Sequence, residues 1–331
     1  MIDPSEIARA QKRLAGRVKR TPIVSSQLLN RWLGHEFFFK AECLQSVGAF
    51  KARGALNMLS KALAEPSHGI ERVVANSSGN HAQAVAWAAR EAGLPATILM
   101  PKTVSAVKAQ ATRAYGAQVI LGEDRLWVDR EIQQLAREAG TLWLPPYDHP
   151  DIIAGQGTVV AEALEQVENI DVIAAPCGGG GLLAGSLLAA KHAGSNAQVV
   201  GAEPLAANDA AQSLRAGEIC ALTAAPKTVA DGAMTLQVGQ HNFPFLQQLN
   251  GFYEIPERDI VYWYQWLNHL LKLQVEPTSA MTMSAVLQHL KGSTTAKRIL
   301  IVLSGGNVDA AMRARLWKED QLSVQPSLEG N

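Results

Sequence analysis

Residues 172–182 read Val-Ile-Ala-Ala-Pro-Cys-Gly-Gly-Gly-Gly-Leu, and this stretch decides the fold class. Val172 to Ala175 is a short apolar run of strand type, and the small apolar residues from Leu182 onward follow a helical pattern. Strand, glycine turn and helix make one step of a parallel α/β sheet. Without side chains, Gly178, Gly179, Gly180 and Gly181 let backbone N–H groups come close to an anion, and a phosphate is the natural guest. No lysine followed by Ser or Thr comes next, so this is not a Walker loop. Gly179, Gly181 and Ala184 also fit G-x-G-x-x-A, and Glu203 follows about twenty residues later, as a dinucleotide fingerprint requires. On this segment alone both readings stand.

The same alternation continues in both directions. Further strands are expected at Glu36 to Lys40, Arg72 to Asn76, Thr97 to Met100, Gln118 to Leu121, Leu142 to Leu144, Gln198 to Val200 and Ile299 to Leu303. Between strands, Ala52, Ala55, Leu56, Leu59 and Leu63 recur at helical spacing, as do Ile260, Trp263, Tyr264, Leu267, Leu270 and Leu271. The first stripe reads as core. The aromatic second stripe reads as core or as a subunit interface. Pro145-Pro146-Tyr147-Asp148-His149-Pro150 interrupts the pattern and suits a domain crossover.

At 331 residues the chain suits two domains, or one large domain with an insertion. Lys plus Arg and Asp plus Glu balance at 30 each, so no net field recommends nucleic acid, an anionic membrane or a polyanion. A small molecule is the expected partner. Cys43, Cys177 and Cys220 form no C-x-x-C pair, which argues against a disulfide framework or structural zinc and suits a reducing cytoplasm. The first sixteen residues lack the apolar core of a signal peptide, and no apolar run reaches the roughly 20 residues of a membrane span.

Three more loops concentrate chemistry. In Ser46-Val47-Gly48-Ala49-Phe50-Lys51, small residues lead into a lysine at a helix start, where an ammonium opposes the helix dipole. Schiff-base formation is one use of such a lysine, and a solvated surface position is the other reading. Ala75-Asn76-Ser77-Ser78-Gly79-Asn80-His81 follows a strand and opens a helix, a setting that can hold a carboxylate or supply an N-cap. Leu303-Ser304-Gly305-Gly306-Asn307 puts a serine at a strand's C-terminal end, facing the ligand crevice of an open sheet, although turn formation also explains the glycines.

In this order and spacing the four loops resemble the fold-type II pyridoxal-phosphate enzymes, specifically the group containing threonine dehydratase, serine racemase and threo-3-hydroxyaspartate dehydratase. The resemblance runs from about Arg20 to Asp309. It takes in Lys40-Ala41-Glu42, Gln45, Gly155-Gln156-Gly157-Thr158, Thr228-Val229-Ala230-Asp231-Gly232 and Val275-Glu276-Pro277-Thr278. It implies a tryptophan synthase β-like α/β fold of two open parallel-sheet domains with the cofactor in the cleft between them. Residues 1–70 and 145–320 would form the large cofactor-binding domain, 71–144 a small mobile substrate-binding domain, and 321–331 a tail.

By this resemblance Lys51 carries pyridoxal 5'-phosphate as a Schiff base and, once freed, removes the substrate's α-proton. Phe50 and Gly232 flank the ring, Asn80 bonds its hydroxyl, and Gly178 to Gly181, with Leu182 beside them, cradle the phosphate. Glu276 joins the cofactor contacts. Ser304 faces the pyridine nitrogen, and a neutral hydroxyl there leaves that nitrogen uncharged, which favours prompt elimination. Ser77, Ser78, Asn80 and His81 hold the substrate carboxylate, and Ser78 can return a proton from the opposite face. Glu203, Asp209 and the Ala207 carbonyl resemble a site for magnesium or calcium. The alternative is that Asp209 only caps the next helix. Ala49 stands where many relatives have serine.

The implied activity is β-elimination of hydroxy amino acids such as L-threonine or L-serine to a 2-oxo acid and ammonia, in a cytoplasmic homodimer. Serine racemase and threo-3-hydroxyaspartate dehydratase are the near alternatives. A nicotinamide-dependent oxidoreductase survives only through the Gly179, Gly181, Ala184 and Glu203 pattern and leaves Lys51 unexplained; a non-catalytic cofactor binder is the other class. The chain ends soon after Asp309, so the C-terminal regulatory domain of the biosynthetic dehydratases is not expected.

Overall fold

A computed structural model describes residues 2–67 and 69–328. The last three positions of the expected tail, 329–331, lie outside the described residues. The strands are β1 (Ile23–Val24), β2 (Glu36–Ala41), β3 (Arg72–Asn76), β4 (Ala96–Pro101), β5 (Gln118–Gly122), β6 (Thr141–Trp143), β7 (Val172–Pro176), β8 (Gln198–Pro204), β9 (Gly251–Ile255) and β10 (Arg298–Leu303). They form a six-stranded sheet of order β1-β2-β10-β7-β8-β9 and a four-stranded sheet of order β5-β4-β3-β6. All pairings are parallel except that of β1 with β2. Every expected strand is present. The two that sequence did not suggest, β1 and β9, lie on the outer edges of the larger sheet.

Parallel strands are covered on both faces, which is why β7 is apolar throughout and β3 and β10 carry continuous apolar runs, Val73 to Ala75 and Ile299 to Leu303. In β10, Ile299, Ile301 and Leu303 belong to one core while Leu300 and Val302 belong to the other. In β3, Val73 and Ala75 face one core of the smaller sheet and Val74 the opposite one. The aromatic stripe is intramolecular: Ile260, Trp263, Tyr264 and Leu267 are buried, and Leu270 and Leu271 pack against the same core. Part of the C-terminal tail docks on that helix, Val324 O accepting from Trp266 Nε1 at 3.0 Å and Gln321 N donating to Gln265 Oε1 at 2.9 Å.

The helices Lys51–Leu63, Pro150–Gln166 and Gly181–His192 are in backbone contact through glycines. A Cβ on Gly155 would fall 2.7 Å from Gly54 Cα, and one on Gly185 would fall 2.5 Å from Ile153 O. The Lys51 helix is also held by a buried ionic cluster. Arg53 donates to Glu42 through Nε and Nη2, both at 2.8 Å, and to Glu162 through Nη1 at 3.2 Å and Nη2 at 3.1 Å. Lys40 donates to Glu162 and, at 2.7 Å, to Thr21 O.

The Pro145–Pro150 segment carries the chain from β6 of the smaller sheet to a helix that covers the larger one. His149 ends it as an N-cap, its Nδ1 accepting from Asp151 N at 3.1 Å. Among the described residues no helix is long and apolar enough to cross a membrane.

Candidate active site

The C-terminal ends of β3, β7 and β10 open on one cavity of about 240 Å³, the place where open α/β sheets bind ligands. All four loops singled out in the sequence reach it. Phe50, Lys51, Ser77, Ser78, Asn80, His81, Gly178 to Gly181, Leu182, Gly232, Glu276 and Ser304 line it. Glu203, Ala207 and Asp209 do not.

Lys51 is the first residue of its helix. The turn before it is laced to the loop after β10: Gly306 N donates to Gly48 O and Phe50 N to Ser304 O, each at 3.0 Å, and Ala49 bridges Gly305. Lys51 Nζ donates to Pro146 O at 2.5 Å and stands 5.2 Å from the centre of the Phe50 ring. Its partner is thus a backbone carbonyl. Burial pulls the amine down to about 8, against which the Glu276 charge works only partly.

Glu276 joins two of the expected cofactor contacts. Its Oε2 accepts from Asn80 Nδ2 at 2.9 Å and its Oε1 from Ser304 Oγ at 3.0 Å. Burial, then the nearby Asp231 charge, pushes its carboxyl up to about 7 despite those bonds. Ser279 Oγ, 3.0 Å from Ser304 Oγ, completes the chain.

The helix Asn80–Glu91 has Gly79 at its N-cap and no side-chain cap bond. The polar run 76–80 is therefore not spent on capping, and the first-turn N–H groups remain available to an anion. Ser77 Oγ accepts from Gly79 N at 3.3 Å. His81 behaves differently from its neighbours. Its Nε2 lies 2.9 Å from Leu144 O, and a carbonyl only accepts, so Nε2 carries the proton and Nδ1 is a buried acceptor with no hydrogen-bond partner among the described residues. Burial and then the Lys51 charge lower the ring to about 3, so it stays neutral. Its side chain cannot donate to a carboxylate; its backbone N–H can.

The glycine loop is built for close approach. Gly180, at φ +92°, is the uncapped N-cap of Gly181–His192. A Cβ on Gly179 would fall 2.3 Å from the Tyr147 ring, and one on Gly178 would fall 3.0 Å from Gly232 O. Asn242 Nδ2 holds Gly179 O at 2.6 Å. Tyr147 and Asn242 escaped sequence reading, because a ring pressed on a glycine from a distant loop leaves no local pattern. A buried amine, a glycine cradle at an uncapped helix N-terminus, a hydroxyl and an amide form a donor set that fits pyridoxal phosphate.

Away from the cavity, Glu203 accepts from Ala210 N at 3.2 Å and Ala211 N at 2.7 Å. Glu203 therefore satisfies the first turn of the helix for which Asp209 was the alternative cap. Turned inward and buried, it is not presented to a ribose as a dinucleotide fingerprint would need. Burial raises Glu203 to about 8 and Asp209 to about 7. Among the described residues, no three of His, Cys, Asp and Glu gather in a metal-binding group.

Comparison with known proteins agrees with this geometry. The family model described as pyridoxal-phosphate dependent enzyme matches residues 14–305. The chain is 42% identical over 329 residues to the L-threo-3-hydroxyaspartate ammonia-lyase of Saccharomyces cerevisiae, covering 97% of this chain and 99% of that protein. It is 40% identical to the serine racemase of Schizosaccharomyces pombe, covering 92% and 94% of the two chains. The crystal structure of a T.th. threonine deaminase superposes with a TM-score of 0.85 at 40% identity, covering 93% of this chain and 99% of that one. The chain is a member of the pyridoxal-phosphate dependent enzyme family.

Proposed function

We propose that the protein dehydrates β-hydroxy amino acids such as L-threonine or L-serine, and that the released enamine takes up water again to give a 2-oxo acid and ammonia. The observation that carries this is the setting of Lys51: an amine lowered to about 8, donating to a carbonyl and facing a glycine cradle. Pyridoxal phosphate, when bound, supplies the electron sink that makes an amino acid's α-proton acidic. Gly178 to Gly181 and Leu182 would hold its phosphate, Phe50 and Gly232 its ring, and Asn80, Glu276 and Ser304 its polar edge. Lys51, neutral in a larger fraction than a solvated lysine, takes the α-proton. Ser77, Ser78, Asn80 and the His81 N–H bind the substrate carboxylate, and Ser78 Oγ is the second proton donor.

Residues 71–144 act as the mobile unit that covers the substrate and excludes water. Two buried carboxyls, neither in an ion pair among the described residues, also suit a divalent cation, held by Glu203, Asp209 and the Ala207 carbonyl, which would neutralise them. Magnesium or calcium titration by calorimetry tests that site, and a Glu203→Gln variant that bound equally well would refute it. Light scattering tests the accompanying expectation of a homodimer.

A second reading, toward 3-hydroxyaspartate, is favoured by two cations on the cavity wall, Arg125 and the Asp231-paired Lys108, which could meet a second carboxylate. The deciding experiment is a panel of L-serine, D-serine, L-threonine and threo-3-hydroxyaspartate, scored for 2-oxo acid and enantiomer. The protein should be yellow and lose its colour on borohydride reduction, with the label on Lys51. A colourless protein inert toward the panel would end the proposal.

A further inference from the structure

Asn307 closes the loop that Ser304 opens, and three segments of the site meet at its side-chain amide. Nδ2 donates to Val47 O and to Asn80 Oδ1, each at 2.8 Å. An amide nitrogen carries two protons, so both are committed. Because Asn80 Oδ1 is an acceptor here, its own Nδ2 must face Glu276 Oε2, leaving one Nδ2 proton for the cavity. Asn307 thereby decides which face of the Asn80 amide the cavity receives.

The other bond holds backbone that would relax without it. Val47 is β-branched yet sits at φ +60°, ψ 8°, in the left-handed region, a strained conformation for such a side chain. Gly48 follows at φ +69°, and a Cβ there would fall 2.8 Å from Asn307 Oδ1. Three residues later comes Lys51. The strained turn that delivers the lysine is therefore pinned by the same amide that orients Asn80.

We propose that Asn307 is a positioning residue, setting both the turn that carries Lys51 and the donor that Asn80 offers to the cofactor. This rests on the reading of Lys51 and Asn80 as cofactor-holding residues. Asn307→Asp keeps the shape but places an acceptor against Val47 O and Asn80 Oδ1. Asn80 then escapes by rotating its amide, and the polarity it presents is reversed. Asn307→Ala removes both bonds without repulsion.

The test uses apoprotein and pyridoxal 5'-phosphate in equilibrium dialysis, with the visible spectrum of the bound form recorded against pH. Asn307→Ala should bind about tenfold more weakly, and Asn307→Asp more weakly still with a shifted spectral pH midpoint. In an Asn80→Ala background the Asp variant should lose no more than the Ala variant, because the repulsion has lost its target. Val47→Gly should restore part of the Asn307→Ala loss, since glycine occupies φ +60° without strain. Wild-type affinity and spectrum in both Asn307 variants would overturn the proposal. So would losses that add to Asn80→Ala and that Val47→Gly leaves untouched, since these describe a merely structural residue. Lys51→Ala serves as the separate control. If it keeps a borohydride-fixed cofactor, the reading of Lys51 fails, whatever Asn307 does.

Discussion

Asn80 Nδ2 donates to Glu276 Oε2 at 2.9 Å, joining the helix after β3 to the segment before β10 across 196 positions of sequence. The acceptor is a fully buried carboxyl held at about 7, above its ordinary 4.5, by burial first and the Asp231 charge second. The native apoprotein thus holds this proton more tightly than the unfolded chain does. Linkage then requires Glu276 to lower stability progressively as pH rises from about 4.5 to about 7. Glu276→Gln cannot ionise. Its apoprotein should gain on wild type across that window, by ~3 kcal/mol at most. Thermal melts from pH 4 to 8 check this, and a difference that stays constant with pH would refute it.

The Lys51 amine gives a second pH signature. At about 8, it should react with an amine-directed acylating reagent in the apoprotein with a midpoint near pH 8, whereas a solvated lysine titrates near 10.4. Removing the Glu276 charge by Glu276→Gln withdraws the stabilisation of the ammonium and should move that midpoint lower still. Pulse labelling read by mass spectrometry at the Lys51 peptide is the measurement. A midpoint near 10 would mean that burial does not control this amine.

Much of this site was legible because its parts are local. The run 172–182 carries a buried strand, a glycine turn and a helix start within eleven residues, and the loops around Lys51, Asn80 and Ser304 are each punctuated in the same way. The pairings between loops are not local. Asn307 meets Asn80 across 227 positions, and the Tyr147 hydroxyl reaches Gln237 O across 90, so neither leaves a periodic trace. β9 was missed for another reason. Gly251–Ile255 is an edge strand with four half-buried residues, one of them Glu254, and lacks the continuous apolar run that marks β7 and β10. The His81 side chain illustrates a third limit. Its type suits a carboxylate, but the carbonyl that fixes its tautomer belongs to Leu144.

The ionic cluster under the Lys51 helix predicts a large mutational cost. Arg53, Glu42 and Lys40 are buried, and Arg53 forks onto two carboxylates. Arg53→Met would strand Glu42 and leave Glu162 to Lys40, and leaving a buried charge without its partner typically costs about 3–5 kcal/mol. Arg215→Met should cost far less, because its pair with Glu254 is solvated on the arginine side. Urea unfolding of the apoprotein compares them. Equal, small losses would show that the cluster does not depend on Arg53, with Lys40 serving Glu162 and the Thr21 hydroxyl serving Glu42.

The ion pair of Lys108 with Asp231 predicts local rather than global loosening. Lys108 lies on the helix Ala106–Ala114 that follows β4, and Asp231 opens the short turn that carries Gly232. Among the described residues this is the ion pair that ties 72–143 to the rest of the chain, and both side chains line the cavity. Each is about a quarter exposed, so the pair is partly screened and worth ~1 kcal/mol. That is too little to change global unfolding much, but enough to change a local opening equilibrium about fivefold. Asp231→Asn should therefore speed amide exchange through residues 96–114 with little change in the urea midpoint. Lys108→Met should match it, and the double variant should be no worse than either, as expected when two changes remove one interaction. Raising the salt concentration should bring wild type toward the variants. Exchange unchanged by Asp231→Asn, or additive effects in the double variant, would show that the cleft is held by the uncharged contacts of Asn80 and Asn307 instead.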